Sequence, residues 1–320
     1  MAESGRAFKL VAVMVWLAAA AVPAQENPRH AGAGVAKTLS RPDLVLHYVD
    51  YGKGEPVLVL MGGPGLSGEG MEPVAQIIAR RARAIVPDQR GSGGSIPKTA
   101  EAITLEGTLA DLEALRQALG IEKWTVWGCS WGGALALEYA SKFPSSLKGL
   151  VLVGSGPASP APFGSAFADN MAARMSADDR AAQRYWSQPD VITRDPERAA
   201  VEVLRAIIPS QFYDRDKANE AIAVFKPGRE HYNPEAAQYL GPAYDRGAAA
   251  RVAALRTVQI PALIIHGRQD PTPESVAIAN HQLLSNSRLV WLDRCGHWPW
   301  IEQPEAFEKA LFEFLFPQGS

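Results

Sequence analysis

Val126-Trp127-Gly128-Cys129-Ser130-Trp131-Gly132-Gly133-Ala134-Leu135 is the stretch that decides the fold. Before it, Trp124 to Trp127 is short, apolar and β-prone; after it, Ala134 to Tyr139 is rich in helix formers. Between them lies Gly-x-Ser-x-Gly, with a third glycine at 133. A strand that becomes a helix within a few residues passes through strained backbone at the turn. Glycines at 128 and 132 remove the Cβ atoms that would clash there. Ser130 is left at the tip, its hydroxyl exposed and a helix N-terminus beneath it. This strand-turn-helix setting is the one in which the pattern presents a nucleophilic serine.

Outward from the elbow, the chain alternates apolar strands with helices. Leu44–Val49 reads as a strand closed by a turn at Tyr51–Gly54. Pro56–Met61 has no polar alternation, which predicts burial on both faces, and it ends in Gly62-Gly63-Pro64-Gly65. Glu72–Arg81 reads as a helix and Arg83–Pro87 as a strand running into Asp88-Gln-Arg-Gly-Ser-Gly-Gly-Ser95. Leu105, Leu109, Leu112, Leu115 and Leu119 recur at spacings of three and four, and Gly120 stops that helix. Leu150–Val153 is the next strand. The rhythm breaks after Gly156 and resumes after Pro261, with strand Ala262–His266, helix Glu274–Leu284, strand Arg288–Leu292 and helix Pro304–Phe316. The pattern predicts an α/β fold, a mostly parallel sheet with helices on both faces. The sheet domain is expected over 43–156 and 253–320. A helical cap over 157–252, including Asp178–Trp186, Pro196–Ile207 and Pro234–Tyr239, leaves from the strand end beside Ser130 and is expected to cover it.

The N-terminus differs in character. Arg6 and Lys9 precede an apolar run from Leu10 to Val22, and Val22-Pro23-Ala24 supplies small residues for a signal peptidase. The expectation is a signal peptide over 1–24, then a mobile leader over 25–42, and an exported, periplasmic or secreted protein without stable membrane insertion. The composition is 47% hydrophobic and 21% charged, with a formal charge of −2, so neither nucleic acid nor an acidic membrane is expected as partner. Cys129 and Cys295 are read as two small buried thiols rather than a disulfide. Six scattered histidines offer no ligand-spaced cluster, and neither metal nor cofactor is expected.

A serine hydroxyl needs a base, and the base needs an orienting group. In sheets of this kind the acid and the histidine follow the serine in the chain. Asp270 follows strand 262–266, and His297 follows the last strand, so both can converge on Ser130. Asp293 is the second choice of acid. His266 reads as structural, and His30, His47, His231 and His281 lie outside the strand-end loops in question. The oxyanion donors expected are the amides of Trp131, at the helix start, and Gly63, in the loop after strand 56–61. The Asp88–Ser95 loop reads as structural, with an internal pair between Asp88 and Arg90.

These motifs together resemble the prolyl iminopeptidase-like branch of the α/β-hydrolase fold, the family of proline-releasing aminopeptidases. Gly62-Gly-Pro-Gly65 is similar to the second half of that family's His-Gly-Gly-Pro-Gly loop, and Asp88–Ser95 is similar to its Asp-Gln-Arg-Gly-Ser-Gly-x-Ser loop. Leu109–Arg116 and Gly133–Leu137 are also similar. The resemblance covers about 43–155 and 258–316. It implies the same triad, Ser130, Asp270 and His297, and an oxyanion hole at Gly63 and Trp131. Two departures stand out. Met61 replaces the loop histidine, and Tyr185-Trp186-Ser187-Gln188 lacks the glutamate of the family's Trp-Glu pair, leaving Glu197, Glu202 or Glu220 to bind a substrate amine. The expected function is therefore a serine hydrolase acting through an acyl-enzyme on a small molecule or short peptide. Release of N-terminal proline comes first, a carboxylesterase second, and a non-catalytic binding protein on the same scaffold third.

Overall fold

The computed structural model describes residues 34–161 and 163–317. The expected signal peptide and the leader up to residue 33 lie outside the described residues. Eight strands form one sheet: β1 Val35–Ser40, β2 Val45–Gly52, β3 Pro56–Leu60, β4 Arg83–Pro87, β5 Trp124–Cys129, β6 Leu147–Val153, β7 Ala262–Gly267 and β8 Ser287–Leu292. Their order is β1-β2-β4-β3-β5-β6-β7-β8. The pairings β1–β2 and β2–β4 are antiparallel and the rest are parallel.

The α-helices are α1 Glu72–Ala79, α2 Leu105–Ala118, α3 Trp131–Lys142, α4 Ala166–Arg174, α5 Ala177–Trp186, α6 Pro189–Arg194, α7 Pro196–Ile207, α8 Ala218–Ile222, α9 Glu235–Arg246, α10 Ala248–Leu255, α11 Glu274–Leu283, α12 Pro299–Glu302 and α13 Pro304–Leu315. Two apolar cores sandwich the sheet, so adjacent inward residues of one strand serve different layers. Trp124 and Val126 of β5 join α2 and α3 on one face, while Trp127 and Cys129 join α1 and α13 on the other. Such two-sided burial explains the unbroken apolar runs of β3 and β5.

One expectation needs correction. Residues 35–40 are not a mobile leader but the edge strand β1, paired with β2 from Val35↔Asp50 to Ser40↔Val45. The strand is mostly exposed, and Val35 keeps 57% of its surface. Its stability comes from backbone pairing along the open edge of β2 rather than from buried side chains, so hydrophobic periodicity carries no trace of it.

Register sets the site. Leu60 pairs with Gly128, Cys129 with Val153, and Val153 with Ile265, so β3, β5, β6 and β7 end level with one another. The loops that follow them meet at one sheet end, where open α/β sheets bind ligands. Seven α-helices, α4 to α10, lie between β6 and β7 among the described residues.

Candidate active site

Ser130 stands between β5 and α3 with φ 50° and ψ −120°, one of two non-glycine residues at positive φ among those described. A conformation of this kind costs on the order of 1–3 kcal/mol and persists only where its surroundings over-determine it. Here the Ser130 amide donates to the Val153 carbonyl at 3.1 Å. Its own carbonyl accepts from Gly133, Ala134 and Gly156 at 3.1, 3.1 and 3.0 Å. The elbow is also sterically committed to glycine at 128, where a Cβ would sit 2.2 Å from the Gly132 carbonyl oxygen.

Asp270 and His297 form a buried pair, with His297 Nδ1 at 2.9 and 2.8 Å from the two carboxylate oxygens. The Thr272 amide donates to Asp270 Oδ1 at 2.7 Å and fixes the carboxylate further. Burial pushes the Asp270 carboxyl up, but the charge and hydrogen bond of His297 outweigh it and hold the group below its ordinary value. With Nδ1 facing the carboxylate, Nε2 is the ring nitrogen of His297 left free of Asp270. The pair packs on Gly154, where a Cβ would lie 2.7 Å from Asp270 Oδ2 and 2.9 Å from His297 Nδ1. Gly154 directly follows Val153, the residue that receives the Ser130 amide. The three residues singled out in the sequence therefore gather around the end of β6.

The second acid, Asp293, is set apart. Its side chain is 83% exposed and pairs with Arg268 at 3.0 Å. His266 is buried with Nε2 3.0 Å from the Thr272 carbonyl, and burial lowers its proton affinity. His231 pairs with Glu69, and His281 with Ser287.

The Trp131 amide is the first of α3 and has no acceptor within its helix. Gly63, at φ 75°, donates no hydrogen bond among the described residues. Neighbouring Gly62 packs against the elbow, since a Cβ there would lie 2.9 Å from Ser130 Cβ, and its amide faces the Cys129 sulfur. Cys129 itself is fully buried, and burial pushes its thiol up to about 12, so it is chemically quiet; Cys295 is likewise free and buried.

The Asp88–Ser95 loop differs from expectation. Asp88 and Arg90 do not pair. Asp88 accepts the amides of Gly68 at 2.8 Å and Gly94 at 2.7 Å, while Arg90 reaches the other way to Asp111 at 2.8 Å and to Asp43. Backbone amides of two tight loops satisfy both oxygens of Asp88, and the buried Arg90 takes its counter-charge from Asp111 and Asp43 instead. Between them, Gln89 donates to the Met61 carbonyl at 2.8 Å and accepts from Trp131 Nε1 at 3.2 Å. One amide side chain thus ties the Gly62–Gly65 loop to the start of α3, at the position where a loop histidine is replaced by Met61.

The segment between β6 and β7 also touches the site. Tyr232 bridges to Leu66, and Asn233 donates to the Gly65 and Gly91 carbonyls. Phe167 packs on His297 at 6.2 Å between ring centroids. Of the carboxylates considered for a substrate amine, Glu202 pairs with Arg205 at 3.1 Å, and Glu197 and Glu220 are exposed. Among the described residues from 157 to 252 no carboxylate is buried; the buried charge there is Arg251. Gln211 accepts the His297 amide and Glu302 the Gly296 amide, and no motif spacing marks either residue; Gln89 lies within the Asp88–Ser95 motif, whose spacing does not show its contacts.

Residues 55–304 match the alpha/beta hydrolase fold. The chain is 27% identical over 275 residues to 2-hydroxy-6-oxo-2,4-heptadienoate hydrolase of Pseudomonas putida, covering 83% of this chain and 91% of that protein. It is 45% identical over 102 residues to the proline iminopeptidase of Neisseria gonorrhoeae, but that match covers 32% of this chain and 33% of the peptidase. Among solved structures, an alpha/beta fold family hydrolase from Bacillus anthracis superposes with a TM-score of 0.67 at 21% identity, over 88% of this chain and 99% of that one.

Proposed function

We propose that this protein, whose chain belongs to the alpha/beta hydrolase fold family, is a serine hydrolase that acts through an acyl-enzyme on small ester-like acyl substrates without a free α-amine. The observation that carries the chemistry is the buried Asp270–His297 pair seated on Gly154, one residue from the carbonyl that anchors Ser130. His297 Nε2 takes the Ser130 proton as Oγ attacks the acyl carbon. Asp270 keeps the imidazole oriented and stabilises its charged form. The Gly63 and Trp131 amides receive the oxyanion, each worth about 3 kcal/mol in the transition state. The leaving group departs with the proton from His297. Water, activated by the same imidazole, then releases the acid and restores the serine.

The insertion supports the substrate class. A peptide ammonium at Ser130 needs an anionic partner free to receive it, and the half-buried carboxylates described in 157–252, Asp179, Glu202 and Glu235, are each paired with an arginine. The order of the two substrate readings is therefore the reverse of the one expected from sequence. Release of N-terminal proline remains the second reading, favoured by the 45% identity to a proline iminopeptidase over 102 residues. Hydrolysis of p-nitrophenyl acetate and of a prolyl arylamide by the purified protein separates them. Ester turnover without arylamide turnover is expected; preferred arylamide turnover would restore the peptidase. The helical insertion as a lid over 157–252 and export with cleavage after Ala24 belong to the same proposal. N-terminal sequencing of the protein recovered outside the cytoplasm tests the export step.

A further inference from the structure

The loop carrying His297 is fastened to more than the sheet. The Gly296 amide donates to Glu302 Oε2 at 2.5 Å, and the Tyr213 and Asp214 amides both donate to Glu302 Oε1 at 2.9 Å. One carboxylate, 5% exposed, thus collects three backbone amides, two of them from the stretch between β6 and β7. The same stretch grips the next two residues. The His297 amide donates to the Gln211 carbonyl at 2.8 Å, Trp298 Nε1 donates to Gln211 Oε1 at 2.8 Å, and Phe212 stacks on Trp298 at 6.0 Å. On the acid side, Arg174 of α4 donates to the Phe212 carbonyl at 2.9 Å and to the Gln269 carbonyl beside Asp270.

We propose that Glu302 is a positioning residue that locks the Gly296–His297 loop to the insertion segment Gln211–Asp214, so that the insertion sets the orientation of the base. The inference rests on reading His297 as that base. A carboxylate suits the task because each of its oxygens accepts and neither donates. A glutamine must turn its NH2 toward at least one amide that it cannot accept from, which opens one side of the clamp. Charge-assisted bonds to backbone amides are also about twice as strong as neutral ones. The Gln211–Asp214 end of the insertion then cannot lift without carrying the histidine loop with it.

The test compares the full-length protein with Glu302→Gln and Asp214→Pro, using p-nitrophenyl acetate as probe. Asp214→Pro removes one donor from the insertion side at an exposed residue, together with the side-chain acceptor of the Asp216 amide, and leaves the Glu302 carboxylate in place. Both variants are expected to lose about 10- to 100-fold in kcat with KM changed by no more than about threefold, the signature of a misplaced base. The downfield Nδ1 proton resonance of His297 is expected to shift or broaden in both. A lowered melting temperature with kcat and the resonance unchanged would overturn the proposal and leave Glu302 a purely structural clamp. Should Glu302→Gln not fold, the Asp214→Pro result decides. Ser130→Ala is run beside them: wild-type turnover there would remove the catalytic reading itself, whatever the clamp variants do.

Discussion

At the scale of single residues, the chemistry depends on which acid faces His297. Asp270 is buried against the imidazole, while Asp293, four residues before the histidine, is solvated and paired with Arg268. Asp270→Asn is expected to lower kcat by about 10⁴-fold through the wrong imidazole tautomer. Asp293→Asn is expected to stay within about twofold, as surface changes do. Steady-state kinetics of the two variants on one ester check this; comparable losses would reassign the acid. Ser130, Asp270 and His297 are legible in the sequence because each follows an apolar strand, and strand ends in a parallel sheet converge. The contacts of Gln89, although it lies in the Asp88–Ser95 motif, and of Glu302 are not. Their roles consist of hydrogen bonds to the backbone of distant loops, and such bonds leave no periodicity. The Asp88–Arg90 pairing fails for a related reason: adjacent charges in sequence need not face one another once backbone amides compete for the carboxylate.

Elements are held together by a few buried charges. Arg251 of α10 is fully buried, donating to Glu138 of α3 at 2.7 Å, to the Ala158 carbonyl at 2.6 Å and to the Tyr244 carbonyl at 3.0 Å, with its guanidinium 3.4 Å over the Tyr244 ring. Tyr244 in turn packs on Trp131, so this cluster backs the start of α3. Arg251→Met strands Glu138 and is expected to cost about 3–5 kcal/mol in urea unfolding, whereas adding Glu138→Met should recover part of it. At the end of α2, burial pushes the Glu113 carboxyl up, but the hydrogen bonds of Arg116 and Tyr139 and the Arg116 charge outweigh it and hold the group at about 2. A depressed carboxylate stabilises the fold above its ordinary pKa, and that contribution disappears as pH falls through the folded value. Glu113→Gln should therefore be less stable than the wild type at pH 7, with the difference closing between 4.5 and about 2. A constant gap across that range would contradict it. Leucine spacing and a glycine stop make α2 foreseeable, whereas α4, α6, α8 and α10 carry no such signal, and neither does β1, because an exposed edge strand buries little.

For the molecule as a whole, the sheet end and the insertion jointly make the site. The insertion reaches the Gly62–Leu66 loop through Tyr232 and Asn233, and the histidine loop through Gln211 and the Tyr213 and Asp214 amides. The alternation of strands and helices made the sheet domain readable from sequence, since each buried strand has to be almost wholly apolar. Substrate preference was not readable in that way. The pairing of the polar groups of the insertion, on which the proposed substrate class rests, is a tertiary property that spacing does not encode. Similarity to proline iminopeptidases is uneven in the same way, 45% over 102 residues for one of them and 26% over 276 residues for another. Acylation of Ser130 is the step on which the proposed mechanism depends. Rapid quenching of the protein with p-nitrophenyl acetate, followed by mass spectrometry of the proteolytic fragments, tests it directly. A burst of p-nitrophenolate and an acetyl group on the fragment containing Ser130, both absent in Ser130→Ala, are expected. Turnover with no adduct at Ser130, or an undiminished burst in Ser130→Ala, would contradict it.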